Sequence, residues 1–124
     1  MKKKPTKITI DCRVHLKTLS RLTKSQARDL LSGVVKSKLF FMDLPDGKFS
    51  LQIDYPFGGS RIHLFKINMP EYVGELFWKI GQYYKKLYKT PDKSGIWGHC
   101  FNNLSLDTVY IDLNKNLITL DIGS

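Results

Sequence analysis

Residues 70–89 read PEYVGELFWKIGQYYKKLYK, and the way this stretch folds decides the architecture of the chain. Val73, Leu76, Phe77, Ile80, Tyr84, Leu87 and Tyr88 recur at helical spacing, which gathers them on one face. Pro70 suits a first turn, where no backbone donor is needed. Glu71 and Glu75 lie near the positive end of the helix dipole, and Lys85, Lys86 and Lys89 near the negative end. The spacing therefore predicts a long amphipathic helix, and the rest of the chain must supply what its apolar face packs on.

Two features of this helix go beyond core packing. At about 100° per residue, Trp78 falls about 140° from Val73, on the polar side with Gln82, Lys85 and Lys89. Gly74 and Gly81 lie on one shoulder, and each costs roughly 1 kcal/mol relative to alanine in a helix interior. One reading makes Trp78 and its lysines a contact surface, with the glycines admitting a foreign backbone. The other places Trp78 under a loop of its own chain and the glycines against a neighbouring strand.

Upstream, Leu44-Pro-Asp-Gly47 is a turn signal, because Pro45 presets φ and Gly47 tolerates a positive φ. It joins a strand over 38–44 to one in which Phe49, Leu51, Ile53 and Tyr55 alternate with polar residues. Tyr55-Pro-Phe-Gly-Gly-Ser60 then breaks the pattern before a further strand, Arg61 to Ile67. Nearer the start, Ile8, Ile10, Cys12, Val14 and Leu16 alternate down a strand with one buried face. Thr23-Lys-Ser-Gln26 has capping-box spacing, with Leu22 placed as a staple against Ala27. The helix that follows buries Ala27, Leu30, Leu31, Val34 and Val35 and ends near Ser37.

Downstream of the long helix, residues 90–103 read as a loop. A closing hairpin turns at Lys115-Asn116 and pairs Leu113 with Ile118, Ile111 with Leu120 and Val109 with Ile122. Its other face carries Thr108, Tyr110, Asp112, Thr119 and Asp121, and a slip by one residue would mix aspartates into the apolar face. The expectation is a single α+β domain over 7–124, preceded by a flexible basic arm over 1–6. It has an antiparallel sheet of about six strands with two helices on one face, in the order β-α-β-β-β-α-β-β.

The 124 residues are enough for one core without staples, and their composition is that of an ordinary folded domain. No apolar run approaches the roughly 20 residues that span a bilayer, so no membrane is expected. The basic start lacks an apolar stretch and a cleavage site, so it does not read as a signal peptide. A cytoplasmic location with free thiols is the expectation. Net charge is +9, and residues 1–42 alone hold eleven Lys/Arg against Asp11 and Asp29. Such a field favours acidic partners. Only four of the twenty cations are arginine, which suits diffuse attraction better than base readout.

No constellation for catalysis, cofactor or metal emerges. Cys12 and His15 on a strand, and the adjacent His99-Cys100, lack zinc-ligand spacing. The same His99-Cys100 pair, taken with His63, does not match a nucleophile signature. Asp112 and Asp121 share a face but read as solvated. Gly58-Gly59-Ser60-Arg61 precedes a strand rather than a helix, unlike a phosphate loop. The expectation is a non-enzymatic module that docks on an acidic protein partner and regulates or neutralises it, as an antitoxin or immunity-type inhibitor does. Trp78, Tyr83 and Trp97 are its expected anchors, with Lys79, Gln82, Lys85, Lys86, Lys89 and His99 around them. The alternative is a nucleic-acid-binding module, RNA more than DNA, using Lys2, Lys3, Lys4, Lys7, Arg13, Arg21 and Arg28.

Overall fold

The computed structural model describes residues 7–27, 45–55, 62–70, 73–89 and 103–123, without the Cys12 side chain. The basic arm, the strand expected over 38–44, the body of the helix beyond Ala27, the glycine turn and the loop bearing Trp97, His99 and Cys100 lie outside the described residues. The elements are β1 (Lys7–His15), α1 (Leu16–Arg21), β2 (Lys48–Ile53), β3 (His63–Asn68), α2 (Val73–Tyr88), β4 (Ser105–Asp112) and β5 (Leu117–Gly123). A further helical turn occupies residues 24–27. Together they make one small α+β domain.

The described strands form one sheet in the order β1-β4-β5-β2-β3. β1 pairs antiparallel with β4, β4 with β5, and β2 with β3. β2 and β5 are parallel neighbours, with Ser50 beside Leu117 and Leu51 beside Ile118. The sheet is thus mixed, which corrects the expectation of a wholly antiparallel one. β2 runs the same way as β1, and the C-terminal hairpin inserts between them.

β1 ends one residue earlier than the alternation predicts. Its register shifts between Asp11 and Val14, where Arg13 adopts a positive φ of 58°, and the chain turns into α1 at Leu16. This helix was not expected; Leu16 and Leu19, three apart, bury in the core from it. The capping box, by contrast, forms as read. The Thr23 amide donates to Gln26 Oε1 at 3.0 Å, and the Gln26 amide donates to Thr23 Oγ1 at 3.1 Å.

The C-terminal hairpin pairs Ile111 with Ile118 and Val109 with Leu120, two residues away from the expected register. Leu113 falls in the turn instead of the ladder. Asp112 sets this, since its Oδ1 accepts from the amides of Asn114 (3.0 Å) and Lys115 (3.1 Å), and Asn116 closes the turn at φ 49°. A shift of two keeps every side chain on its expected face.

Val73, Leu76, Phe77, Ile80, Tyr84 and Leu87 of α2 pack with Ile10, Phe49, Leu51, Ile53, Ile67, Val109, Ile111 and Ile118 of the sheet in one core. Tyr88, expected in the same stripe, is half-buried beside it. Tyr84 is fully buried, and its hydroxyl donates to the Tyr55 carbonyl at 2.7 Å, which ties α2 to the end of β2. Burial, with Asp54 and Tyr88 nearby, pushes its pKa well above the ordinary tyrosine value.

Candidate binding surface on the helical layer

α1 lies across α2, and the crossing explains most of what core packing left open in residues 70–89. Gly81 is the point of contact: a Cβ there would meet Leu19 Cβ at 2.7 Å, the Leu19 carbonyl carbon at 3.2 Å and the Ser20 amide nitrogen at 3.3 Å. The backbone admitted by this glycine belongs to α1, not to a strand or a foreign chain. Trp78 Nε1–H donates to the Leu22 carbonyl at 2.8 Å, and Gln82 Nε2 donates to the Ser20 carbonyl at 3.1 Å. These bonds satisfy two carbonyls at the C-terminal end of α1, which that helix cannot satisfy itself. Trp78 is half-buried against the core rather than standing free, and Tyr83 stacks on Phe65 with ring centroids 4.3 Å apart.

Two clefts flank the outer side of α2. One, of about 210 Å³, is lined by Trp78, Lys79, Gln82, Tyr83 and Lys86. It brings together five of the residues singled out in the sequence as partner-binding. The other, of about 360 Å³, opens between α1 and α2 and is lined by Lys17, Ser20, Arg21, Lys85, Tyr88 and Lys89. It takes Lys85 and Lys89 from the partner-binding set and Arg21 from the nucleic-acid set. Trp97, His99, Lys2, Lys3, Lys4 and Arg28 lie outside the described residues. Lys7 and Arg13 are exposed on β1 and line neither cleft.

Lys17 and Ser20 line the cleft between α1 and α2 without having been singled out in the sequence, and Tyr88, expected in the buried stripe, lines it as well. A signal was present: Lys17 and Arg21 are four apart, as are Lys85 and Lys89, so each helix carries a like-charge pair on one face. It went unread because α1 itself was not foreseen.

Charge is segregated between the layers. Among the described residues the helical layer carries Lys17, Arg21, Lys24, Lys79, Lys85, Lys86 and Lys89 against Glu75 alone. The sheet and its turns carry Lys7, Arg13, Lys48, Lys66 and Lys115 against Asp11, Asp46, Asp54, Asp107, Asp112 and Asp121. Glu75 is buried on α2 and lies 3.7 Å from Lys24, so its charge is already opposed within the fold.

The described residues contain no group of three His, Cys, Asp or Glu side chains placed to hold a metal ion. His15 precedes α1 as an exposed residue without a capping side-chain bond. Asp112 and Asp121 share the outer face of the hairpin but pair with Leu117 and Thr108, four positions apart along β4. That is about 13 Å at the rise of a strand, and Asp112 is already engaged in its turn. None of the described helices is long and apolar enough to cross a membrane. Comparison with protein-family models, with curated proteins and with solved structures finds no match to the chain.

Proposed function

We propose that the chain is a non-enzymatic binding protein whose helical layer docks on an acidic surface of a protein partner and regulates or neutralises it. The observation that carries this reading is the segregation of charge, which concentrates cations around two clefts while the sheet stays balanced. Exposed cations of this kind mainly raise the rate of encounter, and apolar contact then holds the complex. The groove beside Trp78 offers both, with indole and phenol rings between Lys79 and Lys86. The bonds from Trp78 and Gln82 to α1 fix the groove in advance, so little order is lost on docking.

A nucleic-acid reading draws on a different observation, the four cations of the larger cleft. Affinity capture from nuclease-treated lysate separates the two. The wild-type chain is expected to retain a partner of acidic isoelectric point. Lys79→Glu/Lys86→Glu is expected to lose it, and Lys48→Glu/Lys66→Glu, equal in charge but on the sheet, to keep it. Retention abolished by nuclease supports nucleic acid instead, and equal loss in both variants removes the groove from the account.

A further inference from the structure

We infer that the cleft between α1 and α2 is a binding site for a polyphosphate group, separate from the groove proposed for the protein partner. Six residues line it: Lys17, Ser20 and Arg21 from α1, and Lys85, Tyr88 and Lys89 from the end of α2. Four are cations, and no carboxylate lines the cleft among the described residues. Each helix contributes its pair at a spacing of four, which is unfavourable within either helix taken alone. The close approach at Gly81 then brings both pairs onto the lining of one cleft.

Helix dipoles account for only part of this arrangement. Lys85 and Lys89 lie at the C-terminal end of α2 and Arg21 at that of α1, where cations are favoured. Lys17 sits in the first turn of α1, where a cation is disfavoured, yet it lines the same cleft. An anion bound there offsets the like-charge pairs of both helices together.

The ligand class follows from charge and size. A phosphate carries up to two negative charges and three acceptor oxygens, more per unit volume than a carboxylate. Three lysines and one arginine suit it as point charges and donors. At about 360 Å³ the cleft lies within the range of small-molecule sites and holds a chain of two or three phosphates. Tyr88, half-buried, lines the same cleft and lies beside any base or sugar attached to that chain.

Titration with inorganic tripolyphosphate, followed by calorimetry, tests the site. The wild-type chain is expected to bind one equivalent. Lys17→Gln/Lys85→Gln removes two charges at exposed or half-exposed positions that the fold does not need, and is expected to weaken binding at least tenfold. Lys79→Gln/Lys86→Gln removes the same charge from the neighbouring groove and is expected to change it less than twofold. A nucleoside triphosphate run in parallel identifies the source. Tighter binding than tripolyphosphate, lost in Tyr88→Leu, points to a nucleotide, and equal binding to a bare polyphosphate. Equal weakening by the two charge variants, or binding of long single-stranded RNA with neither short probe bound, overturns the site. Because partner capture is read from the other variant pair, failure here leaves the docking proposal standing.

Discussion

Gly81→Val is expected to lower the stability of the chain by about 3 kcal/mol, at the upper end of what overpacking costs. The clash is with a Cβ and main-chain atoms of α1, at 2.7 to 3.3 Å, and none of these is the free end of a side chain that can swing aside. α1 must therefore lift from α2, which also breaks the bonds from Trp78 to Leu22 and from Gln82 to Ser20. Gly81→Ala presents a smaller version of the same conflict. It gains roughly 1 kcal/mol in helix propensity and loses about 1–3 kcal/mol to overpacking, so its net cost is smaller. Urea denaturation of the three proteins checks the order, and a valine variant as stable as wild type would remove α1 from its assigned place.

The second large effect appears in alkali. Tyr84 is buried with its hydroxyl bonded to the Tyr55 carbonyl, and its pKa is raised above the ordinary value of 10.0. The folded chain therefore holds a proton that the unfolded chain gives up above pH 10.0. The contribution of Tyr84 is complete below that pH and declines by about 1.4 kcal/mol for each unit above it. Tyr84→Phe is expected to cost about 1 kcal/mol at neutral pH, from the lost hydrogen bond. It is also expected to flatten the decline above pH 10.0, because the group that ionises is gone. The two proteins differ in no other ionisable group, so the difference between the two slopes isolates Tyr84. Parallel slopes would mean that this hydroxyl ionises without opening the core.

How much of this was legible in the sequence follows from the range of the forces involved. The buried face of α2, the capping box at Thr23 and the inward face of the C-terminal hairpin rest on neighbours within four residues. They form as read except at Tyr88, which is half-buried, and Leu113, which falls in the turn. The hairpin register was missed by two because periodicity fixes only which face a residue takes. Its absolute position depends on the bonds of the Asp112 side chain in the turn. The parallel contact between β2 and β5 joins residues far apart in the chain, such as Ser50 and Leu117, which no local pattern encodes. α1 was missed because its six residues continue an alternating strand by one apolar position, so Leu16 fits either pattern.

The site divides along the same line. Periodicity placed Trp78 on the polar side of α2 with Gln82, Lys85 and Lys89. The structure keeps Gln82 beside Trp78, in a groove with Lys79, Tyr83 and Lys86, and puts Lys85 and Lys89 in the other cleft. Periodicity could not show that Trp78 and Gln82 would direct their polar groups to α1, because those partners lie more than fifty residues away. For the same reason Lys17 and Arg21 could not be matched with Lys85 and Lys89 before the crossing at Gly81 was known.

The central claim is that anionic partners meet this chain on its helical layer and not through diffuse charge. Backbone amide chemical shifts recorded during titration with a short polyglutamate peptide test it most directly. Shifts confined to residues of α1 and α2, growing weaker as salt shortens the range of the field, are the predicted result. Shifts spread evenly over the outer face of β1, β4 and β5, or none at all, would contradict it.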